Sequence, residues 1–231
     1  MLDIIARFHY INPLAAKDGQ SILTARLGDT LTGRNQTGFL QVTGQRSDMK
    51  EIRIHGRGGQ GSLVLAQFMA IAALEDGKYG QAFPFLGGGG ERRGKPIMAF
   101  CRLSDRPIRV RSHVREPDYV IVQDATIQKE VDIAQGLKPD GAILINTDKS
   151  LRQLGISHPR AFTISADELA RRILGRPIIN TALLGVFAAL SGQLSLEAVL
   201  KAVRSKFPGE LGEKNARVVK ESYHAYVEGV S

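Results

Sequence analysis

The six-residue segment Gly56-Arg57-Gly58-Gly59-Gln60-Gly61 constrains the fold more than any other stretch of the chain. Before it, Glu51-Ile52-Arg53-Ile54-His55 alternates polar and apolar side chains as a strand does, and after it residues 62–75 form a helix-length run with scarcely a polar side chain. A strand, a glycine turn and a helix in that order make a β-loop-α unit. Further strands are expected at residues 78–83, 97–103, 119–123 and 142–146, with a shorter one at 161–164. The run Tyr119-Val120-Ile121-Val122 is apolar on both faces, as in a parallel strand covered above and below. Helices are expected at 167–174, 181–190, 196–207 and 213–227. Ser165 and Glu168 have capping-box spacing with Gly175 to close that helix, and Ser195 can cap the one at 196–207. This alternation predicts an α/β fold, a doubly wound and mainly parallel sheet with helices on both faces and a C-terminal helical layer.

Residues 1–48 differ in character, mixing short apolar patches with Gly, Gln, Thr and Asn and keeping no period of strand or helix. Met49 directly precedes the first clean strand, so 1–48 is read as an N-terminal extension, either an arm that docks on a partner or, as favoured here, a dispensable segment translated from a start placed too early, and 49–231 as the working domain. No internal repeat or low-complexity tract is present. No run approaches the roughly 20 apolar residues of a spanning helix, and Asp3, Arg7 and His9 break up any secretory core, so the expectation is a cytoplasmic chain that does not enter membranes.

The single cysteine, Cys101, cannot form an intrachain disulfide or hold an iron–sulfur cluster, and its apolar neighbours mark it as a buried strand residue. A net charge of +8 and a pI near 9.8 imply an anionic partner or ligand. Nucleic acid is not expected, because no finger spacing or aromatic stacking motif accompanies the charge and aromatics make up only 6% of the chain.

Chemistry could sit in four places. The glycine turn Gly56, Arg57, Gly58, Gly59, Gln60 and Gly61 fits G-x-G-x-x-G between strand and helix, where bare amides and a helix N-terminus can receive phosphate. A dinucleotide site also needs an acidic residue about 20 positions on, and here the second strand runs into Phe83-Pro84. The same turn could simply let helix and strand pack closely. The loop 83–94 joins two phenylalanines, the run of four glycines at 87–90 and the guanidinium groups of Arg92 and Arg93, which suits a phosphate, a carboxylate or a partner surface. Arg102, Arg106, Arg109, Arg111 and Arg115 follow; if 108–112 is extended, Arg109 and Arg111 share one face. Asp124, Thr126, Asn146 and Thr147 fall at the expected carboxyl ends of strands, as ligand residues or as caps.

Several strings together resemble the gamma subunit, or gamma domain, of the pyruvate and other 2-oxoacid:ferredoxin oxidoreductases: Ile54-His55-Gly56-Arg57-Gly58-Gly59-Gln60-Gly61, Gln81-Ala82-Phe83-Pro84-Phe85, Glu91-Arg92-Arg93-Gly94-Lys95-Pro96 and Glu116-Pro117-Asp118-Tyr119-Val120. Asn180-Thr181-Ala182-Leu183-Leu184-Gly185, Phe207-Pro208-Gly209 and Glu213-Lys214-Asn215 continue it in order, so that about 49–228 is covered. The resemblance implies a Rossmann-like subunit, inactive alone, in a complex that decarboxylates a 2-oxoacid on thiamine diphosphate with Mg, passes electrons through iron–sulfur clusters to ferredoxin or a similar acceptor, and gives the acyl group to CoA. It implies alpha, beta and delta-type partner subunits, which hold the thiamine and the clusters, and a role for this chain in structure and in the CoA environment, with no catalytic or metal-binding residue of its own. The expected CoA residues are Gly56 to Gly61 with Arg92, Arg93, Asp124 and Asn146. The glycine run 87–90 is longer than the family's usual loop, and residues 1–48 have no family counterpart. The alternatives are a free-standing NAD- or FAD-binding oxidoreductase using the glycine turn, and a purely structural subunit.

Overall fold

In the computed structural model of the chain, residues 49–85 and 93–230 are described. Six strands form one sheet: β1 (Lys50–Arg57), β2 (Tyr79–Phe85), β3 (Pro96–Ser104), β4 (Tyr119–Val122), β5 (Ala142–Asn146) and β6 (Ala161–Ile164). Their spatial order is β2-β3-β1-β4-β5-β6. β1, β4, β5 and β6 pair in parallel, whereas β3 runs antiparallel to both β1 and β2. The sheet is therefore mainly parallel, with one reversed strand wedged between β1 and β2. β2 extends past the expected end at 83 to Phe85; it is the edge strand, where the missing N–H of Pro84 is tolerated.

The helices are α1 (Ser62–Glu75), α2 (Leu151–Leu154), α3 (Ala166–Leu174), α4 (Asn180–Ser191), α5 (Leu196–Lys206) and α6 (Glu210–Val230). They lie on both faces, unevenly. Ile52, Ile54, Cys101, Ile121 and Leu144 point to a core shared with α1 and α3 to α6, while Val120, Val122, Ile143 and Ile145 form a smaller cluster on the other side with α2, Ile127, Ile133 and partly buried loop residues such as Val131 and Leu137. α1 is built from Leu, Ala, Met and Gln with few branched interruptions, and its Leu65, Phe68 and Met69 are buried. Each such side chain contributes about 1.5–3 kcal/mol by leaving water. Gly80 is required where β2 passes this helix, since a Cβ there would run into the Ala70 backbone.

Ser195 caps α5 as expected, its Oγ accepting from Ala198 N at 3.1 Å. The capping box expected at Ser165 does not form: Ser165 makes no side-chain cap, and Asn146 Oδ1 takes the Ala166 amide instead at 3.0 Å. A side chain from the neighbouring strand has replaced the local cap. Cys101 is buried, and burial pushes its thiol pKa up, which suits the inert strand residue expected.

The second face of the sheet carries polar groups inside it. Cross-strand neighbours form two rows there, Phe85–Met98–His55–Val122 and Phe83–Phe100–Arg53–Val120. His55 is buried, and desolvation, followed by the Arg53 charge, lowers its pKa from the ordinary 6.5 to about 4, with Asp132 pulling the other way. The unfolded chain then binds the extra proton first as pH falls, so His55 costs stability progressively between pH 6.5 and 4. The full effect is about 3 kcal/mol at 1.36 kcal/mol per pH unit. His55→Phe should flatten the acid arm of stability in that window; urea titrations of the isolated chain at pH 7 and pH 4.5 check it, and parallel pH profiles for both proteins would refute it.

Candidate functional site

A cleft of about 740 Å³ opens at the carboxyl ends of β1, β4 and β5. From β1 the chain crosses through α1 to one side of the sheet, and from β4 it passes through a 3-10 turn at Ala125–Lys129 to β5 on the other. Connections that diverge in this way leave a crevice, the usual ligand position of open α/β sheets. Gly59, Gln60 and Gly61 form its rim at the start of α1, Asp124 to Lys129 and Asn146 to Lys149 form further walls, and Pro177 to Asn180 closes one side. Leu65 N is the first α1 amide to bond back, to Gly61 O at 3.0 Å, so the amides of Ser62, Leu63 and Val64 precede the helical ladder at the positive end of the helix.

A buried polar network sets this geometry. Ser62 Oγ donates to Gln123 Oε1 at 2.5 Å, and Gln123 Nε2 donates to Asn180 Oδ1 at 2.6 Å. The three residues open α1, follow β4 and open α4, so the network pins two helix starts to one strand end. It also explains two glycines. A Cβ at Gly56 would collide with Ser62 Oγ and Gln123 Oε1, and one at Gly61, whose φ is +75°, would lie 2.7 Å from Asn180 Nδ2. Sequence reasoning did not single out Ser62, Gln123 or Asn180 as a set. The available signal was an uncharged polar residue at the edge of each of three otherwise apolar segments.

The candidate residues named from sequence divide by what they touch. Gly59, Gln60, Gly61, Asp124 and Asn146 line the cleft. Gly56 lies beneath it, packed on Ser62 and Gln123. Both backbone groups of Gly58 clip the residues that lead into β3, its N–H donating to Lys95 O at 2.9 Å and its carbonyl accepting from Gly94 N at 3.0 Å. Arg57 turns to Asp124 at 3.1 Å and Glu130 at 2.8 Å. Gln60 braces the turn from within, its Oε1 accepting from Arg57 N at 2.7 Å. Asp124 accepts from Thr126 N and caps the 3-10 turn; burial alone would raise its carboxyl pKa, but the Thr126 hydrogen bonds and the Arg57 charge outweigh that and lower it. Asn146 spends both its N–H groups on Gln123 O and Asp167 Oδ2, so its side chain ties strands and helix together. Arg93 reaches the turn, with Cγ and Nε 3.8 and 3.9 Å from where a Gly59 Cβ would stand. Arg92 lies outside the described residues. Arg102, grouped from sequence with a charged row, is fully buried instead, while Arg109 and Arg111 do line one shallow groove together.

The sequence profile of the family described as pyruvate ferredoxin/flavodoxin oxidoreductase matches residues 51–225. The chain belongs to this family, as a gamma-type subunit. Pyruvate synthase subunit PorC of Methanocaldococcus jannaschii is 51% identical over 176 residues, which span 76% of this chain and 96% of that one. The pyruvate/ketoisovalerate oxidoreductases common subunit gamma of Pyrococcus furiosus is 45% identical over 179 residues, again 76% of this chain and 96% of the relative. Among solved structures, pyruvate oxidoreductase subunit PORC of Thermotoga maritima superposes with a TM-score of 0.67 at 35% identity, covering 77% of this chain and 97% of its own. Members of the family act as subunits of a multi-subunit 2-oxoacid oxidoreductase. The iron–sulfur clusters implied for such a complex do not fit this chain: its one cysteine is buried, and among the described residues no group of three His, Cys, Asp or Glu side chains could hold a metal ion. No helix of the described residues is long and apolar enough to cross a membrane.

The rival dinucleotide reading is not favoured. In a dinucleotide-binding unit the second strand lies beside the first and its acidic end holds the ribose, whereas here β3 separates β2 from β1 and β2 ends in Phe83-Pro84-Phe85.

Proposed function

We propose that the chain serves a CoA-dependent 2-oxoacid:acceptor oxidoreductase by holding the phosphate end of CoA at the glycine-turn cleft, beside its structural role in the complex. The observation that carries this is the meeting, at one sheet switch point, of the Gly58 to Gly61 turn, the start of α1 and the Arg93 side chain. Helix N-termini and glycine amides favour phosphate oxygens, and an Arg fork adds charge. Lys129 and Lys149 line the same cleft and strengthen the field. Of the residues named from sequence, Gly59, Gln60, Gly61 and Arg93 would touch the ligand, while Gly56, Arg57, Gly58, Asp124 and Asn146 shape the site from behind; Arg92 joins the first group in this proposal. CoA itself brings the thiol that accepts the acyl group. Thiamine diphosphate, Mg and the iron–sulfur clusters belong on this reading to alpha, beta and delta-type partner subunits, with ferredoxin or a similar protein taking the electrons.

The test is CoA saturation of the purified complex. Arg93→Ala removes a charge-assisted hydrogen bond worth about 1.5–3 kcal/mol, so the half-saturating CoA concentration should rise roughly ten- to a hundredfold. Arg93→Lys should recover only part of this, since an ammonium keeps the charge and loses the planar fork. Gel filtration verifies that the complex is intact. An intact Arg93→Ala complex with unchanged CoA saturation overturns the proposal.

A further inference from the structure

A second cleft, of about 840 Å³, lies on the opposite side of β1 from α1. Its floor is Arg53 and His55 of β1 beside Phe100 and Met98 of β3, and its walls come from the 113–116 stretch and from residues 131–136. Strands of a mainly parallel sheet are normally covered on both faces, and the long helices among the described residues lie on the other one. The floor carries an electrostatic deficit. Arg53 and His55 are only 6% and 4% exposed. Arg53 Nη2 donates to Ile133 O at 3.1 Å and to Gln135 O at 2.6 Å, but Arg53 Nε and His55 Nε2 are buried with no hydrogen-bond partner among the described residues. The Arg53 guanidinium therefore hydrogen-bonds to two carbonyls and to no carboxylate among the described residues, and Asp132 acts on it only through its charge. Of the two acidic rim residues, Asp132 is exposed and accepts from the Ala134 amide, and Glu116 is exposed. A buried cation and an imidazole at the base of an apolar cleft call for an anionic acceptor from outside.

We propose that this cleft docks a neighbouring subunit of the complex, which inserts a carboxylate side chain from an otherwise apolar segment against Arg53 and His55. The apolar walls, with Phe85 and His113 in edge-to-face contact at 4.6 Å, receive the flanking side chains. The exposed Arg109, Arg111 and Arg115 on the adjoining stretch favour a partner with an acidic rim. A loose carboxylate ligand would satisfy the two nitrogens equally but would leave this face of the sheet wet, whereas a subunit covers it. The proposal rests on membership of a multi-subunit family and is independent of the CoA cleft.

The test uses the complex purified through a tag on this chain. Met98 pairs directly with His55 across β1 and β3, so Met98→Glu supplies the missing carboxylate from within. The expected result is a folded chain, with a thermal midpoint no lower than the unmodified one, that retains its partners about tenfold less tightly. His55→Phe should weaken retention to a smaller degree. His113→benzoylphenylalanine in the full chain, irradiated in the complex, should cross-link to an Asp- or Glu-bearing peptide of another subunit. Full retention of partners by folded Met98→Glu overturns the proposal, as does a cross-link to residues 1–48 of the same chain, or a small carboxylate found in the cleft with no protein cross-link. A chain that retains no partner under any condition overturns the subunit reading as well, while altered CoA saturation in an intact complex bears only on the first cleft.

Discussion

Replacing Arg102 with Leu is expected to lower the thermal midpoint by roughly 6–20 °C, from about 3–5 kcal/mol for breaking a buried ion pair and about 2–4 °C per kcal/mol at this chain length. Arg102 is 0% exposed in the middle of β3. Its Nε donates to Glu51 Oε1 at 2.8 Å, its Nη1 to Gln81 Oε1 at 3.0 Å and to Val110 O at 3.3 Å, and its Nη2 to Ser112 O at 2.5 Å. The guanidinium also stacks 5.0 Å from the Phe83 ring centre. One side chain thus joins three strands to the 105–118 stretch that carries Arg109 and Arg111. Leu would leave the Glu51 carboxylate, the Gln81 amide oxygen and two backbone carbonyls with their partner gone, and burying such groups unpaired is what makes the loss large. Arg102→Lys should recover little, because one ammonium cannot span the four acceptors in a plane. Adding Glu51→Leu to Arg102→Leu should return part of the stability, since it removes the orphaned charge. A melting curve for Arg102→Leu within about 2 °C of the unmodified chain would sink this account of the strap, being under 1 kcal/mol.

Arg102 also marks where sequence reading stops. Spacing puts Arg109 and Arg111 on one face of an extended stretch, and they do line one groove. The same charge run gives no sign that Arg102 belongs to the sheet interior, because burial of a strand residue is decided by what crosses over it. The β1-turn-α1 unit was legible, since a period of two followed by a long apolar run admits few other structures. The reversal of β3 was not: an apolar strand reads alike in either direction, and the pairing with its neighbours decides. The cap on α3 was misread for a related reason. Ser165 had the right local spacing, but Asn146, arriving from β5, supplied the acceptor.

At the cleft, the glycine turn was visible as a motif, whereas Gln123 and Asn180 meet across 57 residues of chain. The glycines carried the signal because backbone that must approach a neighbour closely leaves a residue type behind. Arg57 and Asn146 are named from sequence as ligand residues, and in the fold their side chains also hold the walls. A polar residue at a strand end serves ligand and scaffold with the same chemistry, and sequence does not separate the two.

Gly185 should show the opposite of its local preference. It lies inside α4, where Ala in place of Gly ordinarily gains about 1 kcal/mol of helix stability. Here α4 crosses α6 so closely that a Cβ would run into the Val219 carbonyl and Ser222 Oγ. Ser222 is fully buried, and its Oγ already donates to Val219 O at 3.0 Å. The helix backbone cannot retreat without moving Val218 and Val219, both 0% exposed in the core. Overpacking of this kind costs about 1–3 kcal/mol and sometimes more, and backbone contact puts Gly185→Ala at the upper end. The expected fall in thermal midpoint is roughly 6–12 °C. Gly185→Val, with two more methyl groups and a stiff rotamer, should prevent accumulation of soluble chain. Adding Ser222→Gly to Gly185→Ala removes one of the two clashes and should return part of the loss, because the sites are in contact and cannot be additive. If Gly185→Ala melts at or above the unmodified chain, helix propensity has won and the α4–α6 contact is looser than the geometry states.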